Sequence, residues 1–190
     1  AAEDDAGDPR QATAVAQKLC DQKVAGVVGH LQSGTSIPAS AIYAKCDLPH
    51  ITASASNPDL TKPGHKTTFR LIANDNALGA ALALFGADHL KLKTVAIIDD
   101  RTAYGQGVAS VFKATALQKG LKVVGEEFTN DKATDFMAIL TAIKNKKPDA
   151  IFYGGLDAQA GPMLRQMEQL GLGNVKFFGG DALCTEKLPE

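Results

Sequence analysis

The stretch VVGHLQSGTSIPAS, Val27–Ser40, opens on paired valines, crosses Gly29 and His30, gathers Ser33, Gly34, Thr35 and Ser36, and then reaches Pro38. Apolar β-branched residues followed by small hydroxyl residues and a proline read as a buried strand handing over to a helix. The strand is expected over Val24–Val28 and the helix over Pro38–Lys45, with its proline in the first turn. Such a junction collects backbone N–H donors where the helix dipole also favours an anion. Ser and Thr are equally the ordinary N-caps of helices, so plain capping is the competing reading.

The same alternation extends in both directions. Upstream, Gln11–Cys20 has helical spacing, with Pro9 near its start. Downstream, strands are expected over Pro49–Thr52, Thr68–Ile72, Thr94–Asp99, Leu121–Phe128, Ala150–Gly154 and Val175–Gly179. Helices are expected over Gly79–Leu90, Val108–Lys119, Phe136–Lys146 and Ala158–Leu170, two of them closed by Gly120 and Gly171. Strand–helix alternation at this spacing implies α/β architecture with parallel sheets and right-handed crossovers. The unit restarts after Ala73-Asn74-Asp75, which divides the chain into lobes 1–73 and 74–190.

In open α/β sheets ligands sit beyond the carboxyl ends of strands. That rule selects the loops 29–36, 53–57, 99–106, 154–157 and 179–182. SASN (Ser54–Asn57) is a second hydroxyl-rich loop after a neighbouring strand; either loop alone reads equally as a turn, but two from neighbouring strands would converge in space and favour a site for one small anion. Neither is glycine-rich enough for a pyrophosphate, and around Tyr104 a G-x-G-x-x-G fingerprint fails at Ser110. Asp181 follows FFGG at a strand end, where it can face a cation or cap a helix.

Composition narrows the function further. A net charge of −1 over 190 residues gives no basic footprint for nucleic acid. No apolar run approaches the ~20 residues needed to span a bilayer. His30, His50, His65 and His89 are scattered, and no H-E-x-x-H, G-x-S-x-G or Walker motif occurs. Nothing supplies a nucleophile–base pair, a metal site or a cofactor fingerprint, so an enzyme is disfavoured and no cofactor is expected. The acidic start, Ala1–Arg10, is not a secretory signal, although a mature or trimmed chain would read the same way.

Seven stretches in order, DPRQATAVAQKL, GVVGHLQSGTSIPASAIY, ITASASNPDLT, FRLIANDNALG, AYGQG, FYGG with LRQMEQLGL, and FFGGDAL, resemble one family. It is that of the periplasmic leucine/isoleucine/valine-binding proteins of branched-chain amino acid ABC transporters. The resemblance implies a type I periplasmic-binding-protein fold, two Rossmann-like lobes closing around one amino acid, and delivery to a membrane permease. It assigns Ser33 and Ser56 to the ligand carboxylate, Ser54 to a backbone contact, Tyr104 to the second lobe's side, and Asp181 to the ammonium. A sensor of the same fold, binding an amide or related small molecule, is the alternative. Leu156 stands where many relatives carry a tyrosine, and Gly7 and Gln32 stand where many carry a cysteine pair.

Relatives of this kind are longer, so the chain reads as an internal portion. In the common strand order 2-1-3-4-5, the strand at Val24–Val28 is then expected to be left as a bare edge. Cys20 and Cys46 fall near the ends of successive helices on one face. They either bridge, with Cα atoms within about 4.4–6.8 Å, or stay as buried thiols.

Overall fold

The structure is a computed structural model that describes residues 1–186 and 188. Residues Ala1–Asp75 form one compact unit, and a second begins at Asn76.

In the first unit, α1 (Pro9–Asp21) begins where the Asp8 carboxylate accepts the N–H groups of Arg10 and Gln11, with Pro9 as its first residue. Ala12, Ala16 and Leu19, spaced by four and three, form its buried stripe. Strands β1 (Val27–Val28), β2 (His50–Thr52) and β3 (Thr68–Arg70) pair in parallel in that order, joined across β1 and β2 by α2 (Ser33–Lys45). Helices α1 and α2 share a core of Ala16, Leu19, Ala39, Tyr43 and Leu48. A disulfide joins Cys20 to Cys46 across a Cα–Cα distance of 6.1 Å.

The expected open edge is present. β1 is a terminal strand of its sheet, and Val28 is 87% exposed. Beside it lies a groove of about 650 Å³ lined by β1, by Val15 and Leu19, and by residues 1–7.

The second unit holds β4 (Thr94–Asp99), β5 (Lys122–Phe128), β6 (Ala150–Gly154) and β7 (Lys176–Gly179), parallel in the order β5-β4-β6-β7. The crossovers are α4 (Ala103–Gln118), α5 (Met137–Lys144) and α6 (Asp157–Gln169), with α3 (Asp75–Leu84) leading into β4 through a π-helical turn at Phe85–His89. Period-2 alternation sorts the interior strands. Val95, Ile97, Ala150 and Phe152 face one apolar cluster; Ala96, Ile98, Ile151 and Tyr153 face the other. Phe112 stacks on Phe152 at 3.9 Å between centroids, and Phe178 meets both edge-on at 5.6 Å.

Several boundaries differ from the sequence expectation. β1 is confined to Val27–Val28, because Gly26 offers no side chain and Val24 packs with the helices rather than in the sheet. α2 starts at Ser33, five residues before the expected Pro38. A proline at the sixth helical position forfeits one backbone bond. The hydroxyls of Thr35 and Ser36 donate to the carbonyls of Gln32 and His30 and help hold that first turn. α3 and α4 likewise begin earlier than expected, at Asp75 and Ala103, the latter capped by the Thr102 hydroxyl accepting Gly105 N–H at 2.9 Å.

Candidate functional site

The carboxyl ends of β1 and β2 carry two loops that are laced together. His30 C=O accepts the hydroxyls of Ser36 (3.2 Å) and Thr52 (2.9 Å). Thr52 Oγ1 in turn accepts the N–H of Ser54 (3.3 Å) and Ala55 (3.0 Å). Ser54 Oγ donates to Leu31 C=O at 2.7 Å, and Asn57 N–H donates to Ser33 Oγ at 3.2 Å. The structure therefore brings Ser33, Ser54 and Ser56 onto one pair of loops in the first unit.

Their roles separate. Ser54 uses its hydroxyl to brace the neighbouring loop. Ser33 is 1% exposed, and its hydroxyl proton remains available after its oxygen has accepted from Asn57. Ser56 is also 1% exposed, yet its hydroxyl has no hydrogen-bond partner among the described residues. A buried hydroxyl without a partner costs about 1–3 kcal/mol, which is characteristic of a group arranged for something other than the protein. The start of α2 adds backbone donors. Its N-cap, Gln32, makes no side-chain capping bond; its carbonyl accepts the N–H groups of Thr35 and Ser36, so the first-turn amides that no side chain caps are those of Ser33 and Gly34.

Behind these loops lies a polar core the sequence did not reveal. His30 and His50 are 8% and 0% exposed, and both rings contact Tyr43, at 5.9 Å and 5.0 Å between centroids. His30 Nδ1 meets the Asp5 carboxylate and its Nε2 meets Tyr43 OH at 2.9 Å. His50 Nε2 donates to Gly29 C=O at 2.6 Å. Burial pushes His50 down to about 4, against the bond to Gly29 and with the help of nearby His30, so its ring is neutral near pH 7. Burial raises the Tyr43 hydroxyl to about 12, with Asp5 adding to the effect. For Asp5 burial pushes upward, but hydrogen bonds from His30 and Gly7 outweigh it and hold the carboxyl below its ordinary value.

In the second unit, Tyr104 at the start of α4 donates its hydroxyl to Asp181 Oδ1 at 2.9 Å, and the Tyr104 hydroxyl oxygen accepts Ala182 N–H at 3.4 Å. Glycines make this possible. A Cβ on Gly180 would collide with Tyr104 OH, and one on Gly105 with Gly154 C=O and the Asp100 carboxylate. Tyr104 is 8% exposed, whereas Asp181, in a 3-10 turn (Asp181–Leu183), is exposed. Its carboxylate is held in place yet open to a cation. Leu156, the N-cap of α6, packs against the apolar cluster around Phe152.

Gly7 and Gln32 are also adjacent, since a Cβ on Gly7 would lie 3.3 Å from the Gln32 amide.

Comparisons with known proteins agree with one another. A sequence profile described as "Periplasmic binding protein" matches residues 1–186. An amino acid binding protein of Pseudomonas aeruginosa is 38% identical over 186 residues, covering 97% of this chain and 50% of its own length. From the same organism, a leucine-, isoleucine-, valine-, threonine-, and alanine-binding protein is 38% identical, with 97% and 49% coverage. Among solved structures, a leucine binding protein of Thermotoga maritima superposes with a TM-score of 0.92 at 27% identity, covering 97% of this chain and 53% of that one. A branched-chain amino acid transporter substrate binding protein from Streptococcus pneumoniae, solved with isoleucine, gives 0.85 at 29%, with 95% and 51% coverage. The chain spans about half the length of the curated relatives it matches.

Proposed function

Because the chain belongs to the periplasmic binding protein family, we propose that it is part of a periplasmic substrate-binding protein that takes an aliphatic amino acid and hands it to an ABC-transporter permease. The first unit's hydroxyl loops take the α-carboxylate, through Ser33 and Ser56, with Ser54 contributing backbone. The second unit's Asp181, oriented by Tyr104, takes the α-ammonium. The observation that carries this reading is the buried, unpartnered Ser56 hydroxyl beside Ser33 at a helix start that lacks a side-chain cap. Hydroxyl and amide donors satisfy an anion, and an exposed but oriented carboxylate satisfies a cation, so together they suit a zwitterion. The names of the relatives point to the same ligand class.

Calorimetry on the full-length protein tests it. Leucine, isoleucine or valine should bind and leucinamide should bind far less well, whereas an amide sensor of the same fold would reverse that order. Asp181→Ala should weaken leucine by roughly ten- to a hundredfold, the worth of a hydrogen bond to a charged group. Unchanged affinity with a lowered melting temperature would mean that Asp181 only supports its turn.

A further inference from the structure

We propose that His30 is the positioning residue of the first unit's half-site: its ring, gripped by Asp5 and Tyr43, fixes the backbone carbonyl from which both hydroxyl loops hang. This inference rests on reading those loops as the carboxylate half-site.

The chain of bonds is continuous. The Asp5 carboxylate holds Nδ1, and Tyr43 OH, on the opposite side of the ring, holds Nε2. Both ring nitrogens are thus engaged, from the segment before α1 and from the buried face of α2. A ring fixed at both ends leaves its own backbone little freedom. That backbone supplies the C=O accepting Ser36 in the first loop and Thr52 in the strand before the second. Thr52 then orients the N–H groups of Ser54 and Ala55, and the residue after His30 takes the Ser54 hydroxyl. Ser33 and Ser56 lie on the segments this lacing fixes, and His30 itself need not touch the ligand.

An alternative use of the cluster fits less well. A metal site would need three ligating side chains converging, and none occurs among the described residues.

Small displacements of oriented donors lose a charged hydrogen bond without unfolding the protein. The test therefore compares leucine with leucinamide in the full-length protein carrying Asp5→Ala, Asp5→Asn or Tyr43→Phe. Asp5→Ala should lower leucine affinity about tenfold while changing leucinamide little, so that discrimination between the two shrinks by the same factor. Asp5→Asn keeps an oxygen that accepts Nδ1–H and should restore most of it. Tyr43→Phe, which keeps the packing, should cost about threefold. A purely structural role predicts lowered melting temperatures with discrimination intact, and that result in Asp5→Ala and Tyr43→Phe would overturn the proposal. If the unsubstituted protein does not prefer leucine over leucinamide, the carboxylate reading itself falls, and this inference with it.

Discussion

The interior strand of the first unit, β2, and one of the two interior strands of the second, β6, are built from opposite materials. β2 buries His50 and Thr52, both 0% exposed, whereas β6 buries Ile151, Phe152 and Tyr153. Behind β2 stand His30 and Tyr43 in a hydrogen-bonded cluster; behind β6 stand two continuous apolar layers. Of these buried polar groups, Thr52 and His30 bond directly to the hydroxyl loops, and His50 bonds Gly29 at the end of β1. The second unit presents its groups differently, from the ends of α4 and β7, with glycines allowing close approach. Its interior strands β4 and β6 are therefore free to bury almost wholly apolar side chains. Where strand side chains themselves hold the hydroxyl loops, apolar burial is given up, and a disulfide across α1 and α2 contributes stability instead.

The largest effect expected from this contrast is in the second unit. Phe152→Ala removes a fully buried ring stacked on Phe112 and edged by Phe178. It should cost about 3–5 kcal/mol, the usual range for deleting a buried aromatic. Hydrogen exchange locates the damage: amides of β4 and β6 should lose protection while those of β2 keep theirs. Equal loss in both units would show that the two do not hold their stability separately.

The first unit should instead be broken by acid. His50 is held near 4 against an ordinary value of 6.5, so the folded state resists a proton that the unfolded chain accepts. Its contribution is complete above about pH 6.5 and drains away as pH falls towards 4. The shift corresponds to roughly 3 kcal/mol. Denaturation midpoints taken across that window should fall, and protection of the β2 amides should fall with them. His50→Gln should flatten the dependence; an unchanged slope in that variant would place the acid sensitivity elsewhere.

The same contrast decides what could be read in advance. β4 and β6 have the boundaries expected from sequence, because six and five residues of mostly apolar, sheet-favouring side chains leave little else to form. In the first unit the strands are two and three residues long, and their ends depend on tertiary bonds rather than local pattern. The early start of α2 hinges on hydroxyls bonding back to Gln32 and His30, for which the sequence offered only the hydroxyls. His30 and His50 looked scattered because the contacts that join them, directly edge to face and through Tyr43, span separate elements. The bond from Tyr104 to Asp181 crosses 77 positions. Both residue types were legible at their strand and helix ends, but their pairing needed the fold.

The smallest effect reverses the sign of the acid response. Asp100 is 1% exposed; its Oδ1 accepts the Thr102 N–H and hydroxyl, and its Oδ2 has no partner among the described residues. Burial raises its pKa against those Thr102 bonds, and Asp131 and Asp99 add to the rise. A carboxyl raised on folding binds its proton more readily in the native state. Its contribution is therefore greatest below the ordinary 3.8 and is lost as pH climbs through the folded value, opposite to His50. Asp100→Asn removes the buried charge and keeps an oxygen for Thr102. It should raise stability at neutral pH by up to about 1 kcal/mol, limited because the new amide hydrogens must themselves find acceptors. The gain should be visible at pH 7 and vanish in acid, where the native Asp100 is already neutral. A variant less stable than the parent at pH 7 would mean that the Asp100 charge is stabilised by a partner and is not a burden on the second unit.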